Sequence, residues 1–422
     1  MDKPLKFIDL FAGCGGLSEG FYRQGYQALA HVEIDHYACE TLKTRMRHYG
    51  YANAADTVLE RDITSSDIVR TMKEAVGDNE VDLVIGGPPC QSFSPLGKAK
   101  DDDNMRNDPR NYLFENYIKV LNSFKPKIFV FENVTGLLET EINGKSIFKT
   151  ILRRLRRNYK VLGDADRIVL NATNYGVPQE RKRVILLGVR KDVNASPADV
   201  YQAIIKTHYL PEDTEAARSG KSKYVTVREA IEDLPKLAQG QGTEQCPYPN
   251  GYETCNGYVR RVRKPTDEVL RDHVARKHNS KDVERYQEMA ENHWNFLQML
   301  QFRPDLGHEK KRVFYNSYKV QWWDMPARTI IAHLYKDGNQ FIHPDPAQGR
   351  TITVREAARL QSFPDDFIFE GSRTEQFKQI GNAVPPLLAE AIAKGIKTVL
   401  EQEEKGKQDD ISECDGTEEP CR

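Results

Sequence analysis

Leu5-Lys6-Phe7-Ile8-Asp9-Leu10-Phe11-Ala12-Gly13-Cys14-Gly15-Gly16-Leu17-Ser18 decides the fold. Residues 5–10 read as a short apolar strand, 11–16 as a glycine-rich turn, and 17–24 as a helix with Ser18 near its start. Such a turn lets a ligand come close to the backbone. It is not the nicotinamide fingerprint GxGxxG, because Ser18 stands where the third glycine belongs. Working outward, residues 26–32 read as a second strand ending at Glu33-Ile34-Asp35, and 36–47 as a helix. A short third strand ends near Arg61-Asp62-Ile63, and a helix at 66–76 leads to a fourth strand. Strand and helix alternate, which predicts a parallel α/β sheet. Glu33 and Asp62 end successive strands. Each alone is more often a solvated or helix-capping carboxylate. Together with the turn they favour an adenosine-containing cofactor, Glu33 on ribose hydroxyls and Asp62 on an adenine amino group.

The fourth strand, 81–85, runs into Gly86-Gly87-Pro88-Pro89-Cys90-Gln91-Ser92-Phe93-Ser94. Pro88 and Pro89 fix two φ angles and remove two N–H donors, so the backbone before Cys90 is stiff. A stiff turn that presents one thiol at a strand's end suits a nucleophile. A buried structural cysteine is the bland alternative. Residues 94–110 are polar, with Asp101-Asp102-Asp103, and read as a mobile loop of lid length. A helix at 112–123 and a fifth strand at 127–131 follow, ending at Glu132-Asn133-Val134. Glu132 thus reaches the same sheet edge as Cys90, where a carboxyl can serve as a proton donor or cap the next helix. Strands at 160–170 and 183–189 flank Gln179-Glu180-Arg181-Lys182-Arg183, whose two arginines alternate on one strand face.

Composition narrows the class. The chain has 422 residues and a net charge of −1, and no apolar run approaches membrane-spanning length. No leader precedes the first strand, so a cytoplasmic protein is expected. Seven cysteines carry no CxxC pair and no zinc spacing, so no metal site is expected. The tail from Glu401 holds nine acidic and three basic residues, leaving the body at +5, which is compatible with a phosphate backbone. From 191 to 339 the α/β rhythm lapses. This stretch holds basic clusters at Arg260-Arg261-Arg263-Lys264, Arg276-Lys277-His278 and Lys310-Lys311-Arg312, interleaved with aromatics. That mixture suits nucleic acid, or a small domain with its own aromatic core. Helical pattern returns at 353–361 and at 387–400, and the acidic tail, 401–422, is expected to be disordered.

In this order, Asp9 to Gly16, Glu33, Arg61-Asp62-Ile63, Gly87 to Ser94, Phe131-Glu132-Asn133-Val134, Gln179 to Arg183, Arg355-Glu356-Ala357-Ala358-Arg359-Leu360-Gln361-Ser362-Phe363-Pro364 and Gly381-Asn382-Ala383-Val384 resemble the motifs of the bacterial-type DNA (cytosine-5) methyltransferases. The resemblance implies an AdoMet-dependent methyltransferase fold: a Rossmann-like mixed α/β sheet with a smaller, irregular target-recognition domain. It implies a catalytic domain from 1–190 completed by 340–400, and recognition by 191–339. By resemblance S-adenosyl-L-methionine lies over Phe11, Ala12, Gly13, Cys14, Gly15 and Gly16, with Glu33, Ile34, Asp62, Ile63, Pro88, Leu113, Asn382 and Val384 around it, and S-adenosyl-L-homocysteine is the product. Cys90 supplies the nucleophile, assisted by Glu132, Arg181 and Arg183. Pro89, Gln91, Ser94, Arg260, Arg261 and Arg263 are expected on the DNA side. The implied substrate is a cytosine flipped out of double-stranded DNA, methylated at C5 by a monomer of prokaryotic or phage origin beside a separate restriction endonuclease. A tRNA methyltransferase of the same fold would carry a Cys-Phe-Thr signature, but here Pro247 follows Cys246 and Asn256 follows Cys255. A non-catalytic DNA-binding homologue would lack Cys90 or Glu132.

Overall fold

The computed structural model describes residues 3–89, 112–142, 144–308 and 317–415, with side chains through 406. Cys90, Gln91, Ser94, the loop at 94–110 and Lys310-Lys311-Arg312 lie outside the described residues. The first half runs β1 (Lys6–Leu10), α1 (Gly16–Arg23), β2 (Gln27–Glu33), α2 (His36–His48), β3 (Val58–Glu60), α3 (Ile68–Val76), β4 (Leu83–Gly86), α4 (Leu113–Phe124) and β5 (Ile128–Val134). These strands are parallel in the order β3-β2-β1-β4-β5. The chain moves one way from β1 and the other way from β4. The crevice between those two strands is therefore the switch point where such sheets hold ligands. Next come α5 (Ile147–Leu155), β6 (Tyr159–Val161), β7 (Val169–Asn171) and β8 (Lys182–Arg190). β8 runs antiparallel to β5 and carries β6 and β7, so the eight-stranded sheet is mixed, as expected.

Side chains alternate across this sheet with the two-residue period of strands. Phe7, Leu83, Ile85, Ile128, Val130 and Ile185 face one way, with α1 and α2. Ile8, Val84, Phe129, Phe131, Val184 and Leu186 face the other, with α3, α4 and α5. Each is almost fully buried, a contribution of roughly 1.5–3 kcal/mol per side chain. Both faces being covered explains why these strands read as continuous apolar runs.

The later elements are α6 (Pro197–Ala203), β9 (Gly242–Pro247), β10 (Val269–Val274), α7 (Ser280–Glu291), α8 (Phe296–Phe302), α9 (Val354–Leu360), α10 (Arg373–Asn382) and α11 (Pro386–Asp415). α11 lies on α1 so closely that a Cβ on Gly20 would sit 2.2 Å from the backbone N of Glu390. Only glycine permits this crossing. α11 also runs to Asp415, past the expected end near residue 400 and into the acidic tail expected to be disordered.

The later part of the irregular middle has its own core, built from Tyr286, Met289, Phe296, Met299, Leu306, Tyr318, Val320 and Ile342, while Val227, Ile231, Tyr258, Val262 and Leu270 join the core on one face of the large sheet. The edges of this unit differ from 191 and 339. α6 stays with the large sheet: Tyr201 accepts from the Leu187 N–H at 3.1 Å, and Ile204 packs on Gly395. The chain rejoins the sheet at Ala327, which brackets the loop before β8 through Glu180 N to Ala327 O at 2.8 Å and Ala327 N to Pro178 O at 2.9 Å.

α9 ties the two units together. Arg355 and Arg359 are fully buried. Arg359 makes two bonds to Asp365, at 2.9 and 2.7 Å, and another to Asp233. Arg355 donates to Arg271 O and Asp272 of β10. One turn earlier, Arg350 and Glu356 form a bidentate pair at 2.7 Å per bond. Fork-to-carboxylate geometry makes these strong, oriented contacts.

Candidate active site

The glycine-rich turn begins where β1 stops. Phe11 and Gly13 both take positive φ, 58° and 55°, and Gly15 at 87° starts α1. A Cβ on Gly13 would meet nothing within 4 Å, so this turn borders open space. Glu33, at the end of β2, stabilises it. Its Oε2 accepts from Gly13 N and its Oε1 from Ile34 N and Asp35 N, each at 2.8 Å. Ile34 beside it is 67% exposed, an apolar side chain held out at a strand's end. Asp62 is exposed and its Oδ1 accepts from Thr64 N at 2.8 Å. A carboxylate, an apolar side chain and a second carboxylate around an open glycine turn fit a nucleoside. Asn382 and Val384 arrive from α10: a Cβ on Gly16 would lie 2.5 Å from Val384 O. Leu113 is partly buried at the start of α4.

Two members of the expected cofactor set turn inward. Cys14 points its sulfur toward Gln379 O at 3.8 Å, and burial pushes its thiol up to about 12. Ile63 is 5% exposed and packs in the core below β1. Their side chains fill core space. Under the turn, Ser18 donates to Asp9 at 2.6 Å, and burial lifts the Asp9 carboxyl to about 8. Ser18, which breaks the nicotinamide fingerprint, is thus the partner of a buried acid.

Across the switch point, β4 ends in Gly86-Gly87. A Cβ on Gly86 would lie 2.3 Å from Leu10 O, and one on Gly87 would lie 2.6 Å from Glu132 Oε2. The two glycines let the Pro88-Pro89 turn pass between β1 and Glu132. Asn133 Nδ2 holds Pro88 O at 3.1 Å. Glu132 is countered by Arg183, whose Nε lies 3.0 Å from Oε1, with the two side chains 11% and 14% exposed. This is a charge contact rather than an aligned hydrogen bond, because the guanidinium Nε–H has no aligned acceptor. Burial draws the Arg183 guanidinium below its ordinary value, and Glu132 opposes that.

Arg181 does not join that pair directly. It is 2% exposed, and its guanidinium donates to Ile330 O at 2.7 Å and Ala383 O at 2.9 Å. It thus ties the approach to β8 to the segments at Ile330 and Ala383. Gln179, to which the sequence assigns no role of its own, works beside it. Fully buried, it donates to Leu360 O at 3.1 Å and accepts from Ile330 N at 2.8 Å. Its one signal in the sequence is a polar residue next to the two arginines.

The arginine cluster expected to meet DNA is engaged elsewhere. Arg263 is 6% exposed, donates to Asn250 O at 3.1 Å and stacks 3.6 Å from the Tyr248 ring centroid. Arg260 donates to Glu253 O at 2.7 Å, and Arg261 lies 3.6 Å from Glu390. Arg261 stands beside α1, near Glu19, Arg23 and Arg45, rather than beside Glu132 and Arg183. Arg276 of the second basic cluster also turns inward, to Leu334 O and Lys336 O. His36, Glu40 and Glu60 bring ligand-type atoms within 4.8 Å of one another, but the Lys43 ammonium already holds Glu40 at 2.8 Å.

Sheet order, glycine turn and edge carboxylates together make an open α/β sheet with its ligand crevice at the switch point, in keeping with the methyltransferase fold that the resemblance implies. The sequence matches the family described as C-5 cytosine-specific DNA methylase over residues 5–398. It is 34% identical to the type II methyltransferase M.Bpa9945I of Bacillus paralicheniformis, covering 93% of this chain and 98% of that protein. It is 36% identical to the type II methyltransferase M.DdeI of Desulfomicrobium norvegicum, covering 94% and 89%. Among solved structures it resembles one described as a DNA modification methyltransferase encoded within an E. coli prophage. The TM-score is 0.66 and the identity 25%, over 94% of this chain and 99% of that one. The chain belongs to the C-5 cytosine-specific DNA methylase family: it is an AdoMet-dependent enzyme that methylates carbon 5 of cytosine in DNA.

Proposed function

We propose that Cys90, Glu132 and Arg183 carry out this reaction on a cytosine flipped out of a specific duplex sequence, with the methyl donor held over the glycine turn and Glu33 on its ribose. The observation that supports this reading most is the contact of Glu132 with Gly87, three residues before Cys90. The AdoMet sulfonium supplies an electrophilic methyl group. Cytosine C5 is a poor nucleophile until a thiolate bonds to C6. Cys90 supplies that thiolate, and the C5–C6 electron pair then serves to form the new carbon–carbon bond. Glu132 meets the N3 edge and exocyclic amine, and Arg183 the O2 side, so charge that builds on the ring has fixed partners. Loss of the C5 proton and expulsion of Cys90 restore aromaticity. A base within a duplex is out of reach of such a site, and DNA methyltransferases as a class extrude it.

Modification beside a separate restriction endonuclease is the biological setting that fits relatives named type II methyltransferases. The protein acts as a monomer inside the cell; among the described residues no helix is long and apolar enough to cross a membrane. The test combines labelled AdoMet with duplex DNA, with tRNA and with no acceptor. Label should enter duplex DNA alone. Duplex containing 5-fluorocytosine should trap the wild type covalently and leave Cys90→Ser free. Trapping of Cys90→Ser, or label in tRNA alone, would overturn the reading.

A further inference from the structure

We infer that Lys319 and Arg328 form a phosphate subsite for the strand that carries the target cytosine. The inference rests on duplex DNA being the substrate. Arg228, Arg285, Arg303, Arg350, Arg355 and Arg359 of the later chain each hold a carboxylate. Lys319 and Arg328 do not: among the described residues neither makes an ion pair, and no side-chain hydrogen bond engages either head group. They are neighbours nonetheless. Arg328 donates its backbone N–H to Gln321 Oε1 at 3.0 Å, and Gln321 lies two residues beyond Lys319. Burial and the Arg328 charge hold the Lys319 ammonium below its ordinary range. Two like charges close together without a counter-ion are an uphill arrangement, which an anion relieves.

Their place identifies the anion. Ala327 and Thr329 flank Arg328, and both bond to the backbone of Glu180, Thr329 through its hydroxyl at 2.6 Å. Three residues on, Arg183 meets Glu132. Arg328 therefore stands on the wall beside the strand that enters the site. A nucleotide turned in toward Glu132 leaves its own phosphates at that rim. Two unpaired cations suit the two phosphodiesters that flank such a nucleotide, one charge each, and carry no base information. The basic clusters singled out in the sequence fill this role poorly, because their arginines are already spent on carbonyls, rings and Glu390.

The test measures duplex affinity by fluorescence anisotropy over a series of salt concentrations, with S-adenosyl-L-homocysteine present. Wild type, Lys319→Gln, Arg328→Gln, the double variant and Arg328→Lys are compared on two duplexes of unrelated sequence. Each neutral variant should lower the slope of log affinity against log salt by about 0.9, and the double variant by about 1.8. The loss should be the same on both duplexes, while Arg328→Lys keeps the slope. Melting temperature and S-adenosyl-L-homocysteine affinity should match wild type, which separates the effect from misfolding. Unchanged slopes, or a loss confined to one duplex, would overturn the subsite. A wild type that binds neither duplex would instead overturn the choice of substrate.

Discussion

Arg183 Nε stands 3.0 Å from Glu132 Oε1, at an edge where both side chains are mostly buried. The pair joins β8 to β5, and these strands are antiparallel neighbours. Its charges are balanced before any substrate arrives, so a ring set against the pair meets both a carboxylate and a guanidinium already oriented.

Glu132→Gln should therefore lower the rate of methyl transfer by about 10²–10³-fold, the usual cost of losing one preorganised electrostatic partner. The change keeps the shape but leaves the Arg183 guanidinium without its counter-charge. AdoMet affinity should stay within a few-fold, because Glu132 lies on the far side of β4 from the glycine turn. Single-turnover rates at saturating cofactor and DNA check the first point and calorimetry the second. A rate near wild type would remove Glu132 from the chemistry.

Glu33 has two duties. In the proposed reading it holds ribose hydroxyls, and in the structure it accepts the N–H groups of Gly13, Ile34 and Asp35. Glu33→Ala should weaken AdoMet binding by about 1.5–3 kcal/mol through lost bonds to an ionised acceptor, roughly tenfold to a hundredfold in dissociation constant. Glu33→Gln should lose less, because one oxygen remains to accept. Equal losses for Ala and Gln would show that charge alone matters, and unchanged calorimetric affinity would exclude Glu33 from the pocket.

Much of this site was legible in the sequence because it sits at strand ends. A short apolar strand closed by Gly-Gly, or by a glutamate, announces its own position on the sheet edge. The parallel strands, the glycine turn and the place of Glu132 at the sheet edge follow from that local pattern, whereas the mixed sheet is what the family resemblance implies. The fate of individual arginines does not. Arg355-Glu356-Ala357-Ala358-Arg359 reads as an ordinary polar helix, yet both arginines are buried, because Asp233, Asp272 and Asp365 reach them from distant parts of the chain. Arg263 and Arg276 look like DNA contacts for the same reason: their carbonyl and ring partners are not sequence neighbours. Long-range partners decide whether a cation is spent or free, and charge patterning carries no record of them.

Buried histidines set the acid limit of the fold. Burial draws His31 and His343 down to about 3 from an ordinary value near 6.5. Both rings are neutral in the folded protein, His343 against Glu356 and His31 against Tyr22. Their folded-state pKa values are depressed, so the unfolded chain binds more protons below about 6.5 and stability falls as pH drops toward 3. Each ring contributes a slope of up to about 1.4 kcal/mol per pH unit in that window. Asp9 works against them: its carboxyl, lifted to about 8 by burial, holds a proton in the folded state that the unfolded chain has released above about 4. The histidines outnumber it, since burial also draws His278 down to about 4, so stability should still fall with pH between about 6 and 4.5. Urea unfolding across this range measures it, and Asp9→Asn should steepen the acid loss by removing the opposing group. A flat profile would mean that the two histidines open to solvent in the folded protein.

The last prediction separates the spent arginines from the free cations. Arg260 and Arg261 read from the sequence as phosphate contacts, but one donates to Glu253 O and the other pairs with Glu390 beside α1. A cation turned away to another partner neutralises no phosphate, and only neutralised phosphates release the counter-ions that set the salt slope. Arg260→Gln and Arg261→Gln should therefore leave the slope of log affinity against log salt where it is in wild type, for any duplex. Arg261→Gln should cost little in stability, since the Glu390 pair is half-exposed and surface pairs contribute about 0–1 kcal/mol. Arg263→Gln should behave differently again. It would strip the Tyr248 ring and Asn250 O of a buried guanidinium, a loss of about 1–3 kcal/mol for the acceptor left behind. Its melting temperature should fall while its salt slope holds. A slope reduced by about 0.9 for Arg260→Gln or Arg261→Gln would return that residue to the DNA surface, and would mean that its contact with Glu253 or Glu390 gives way when the duplex binds.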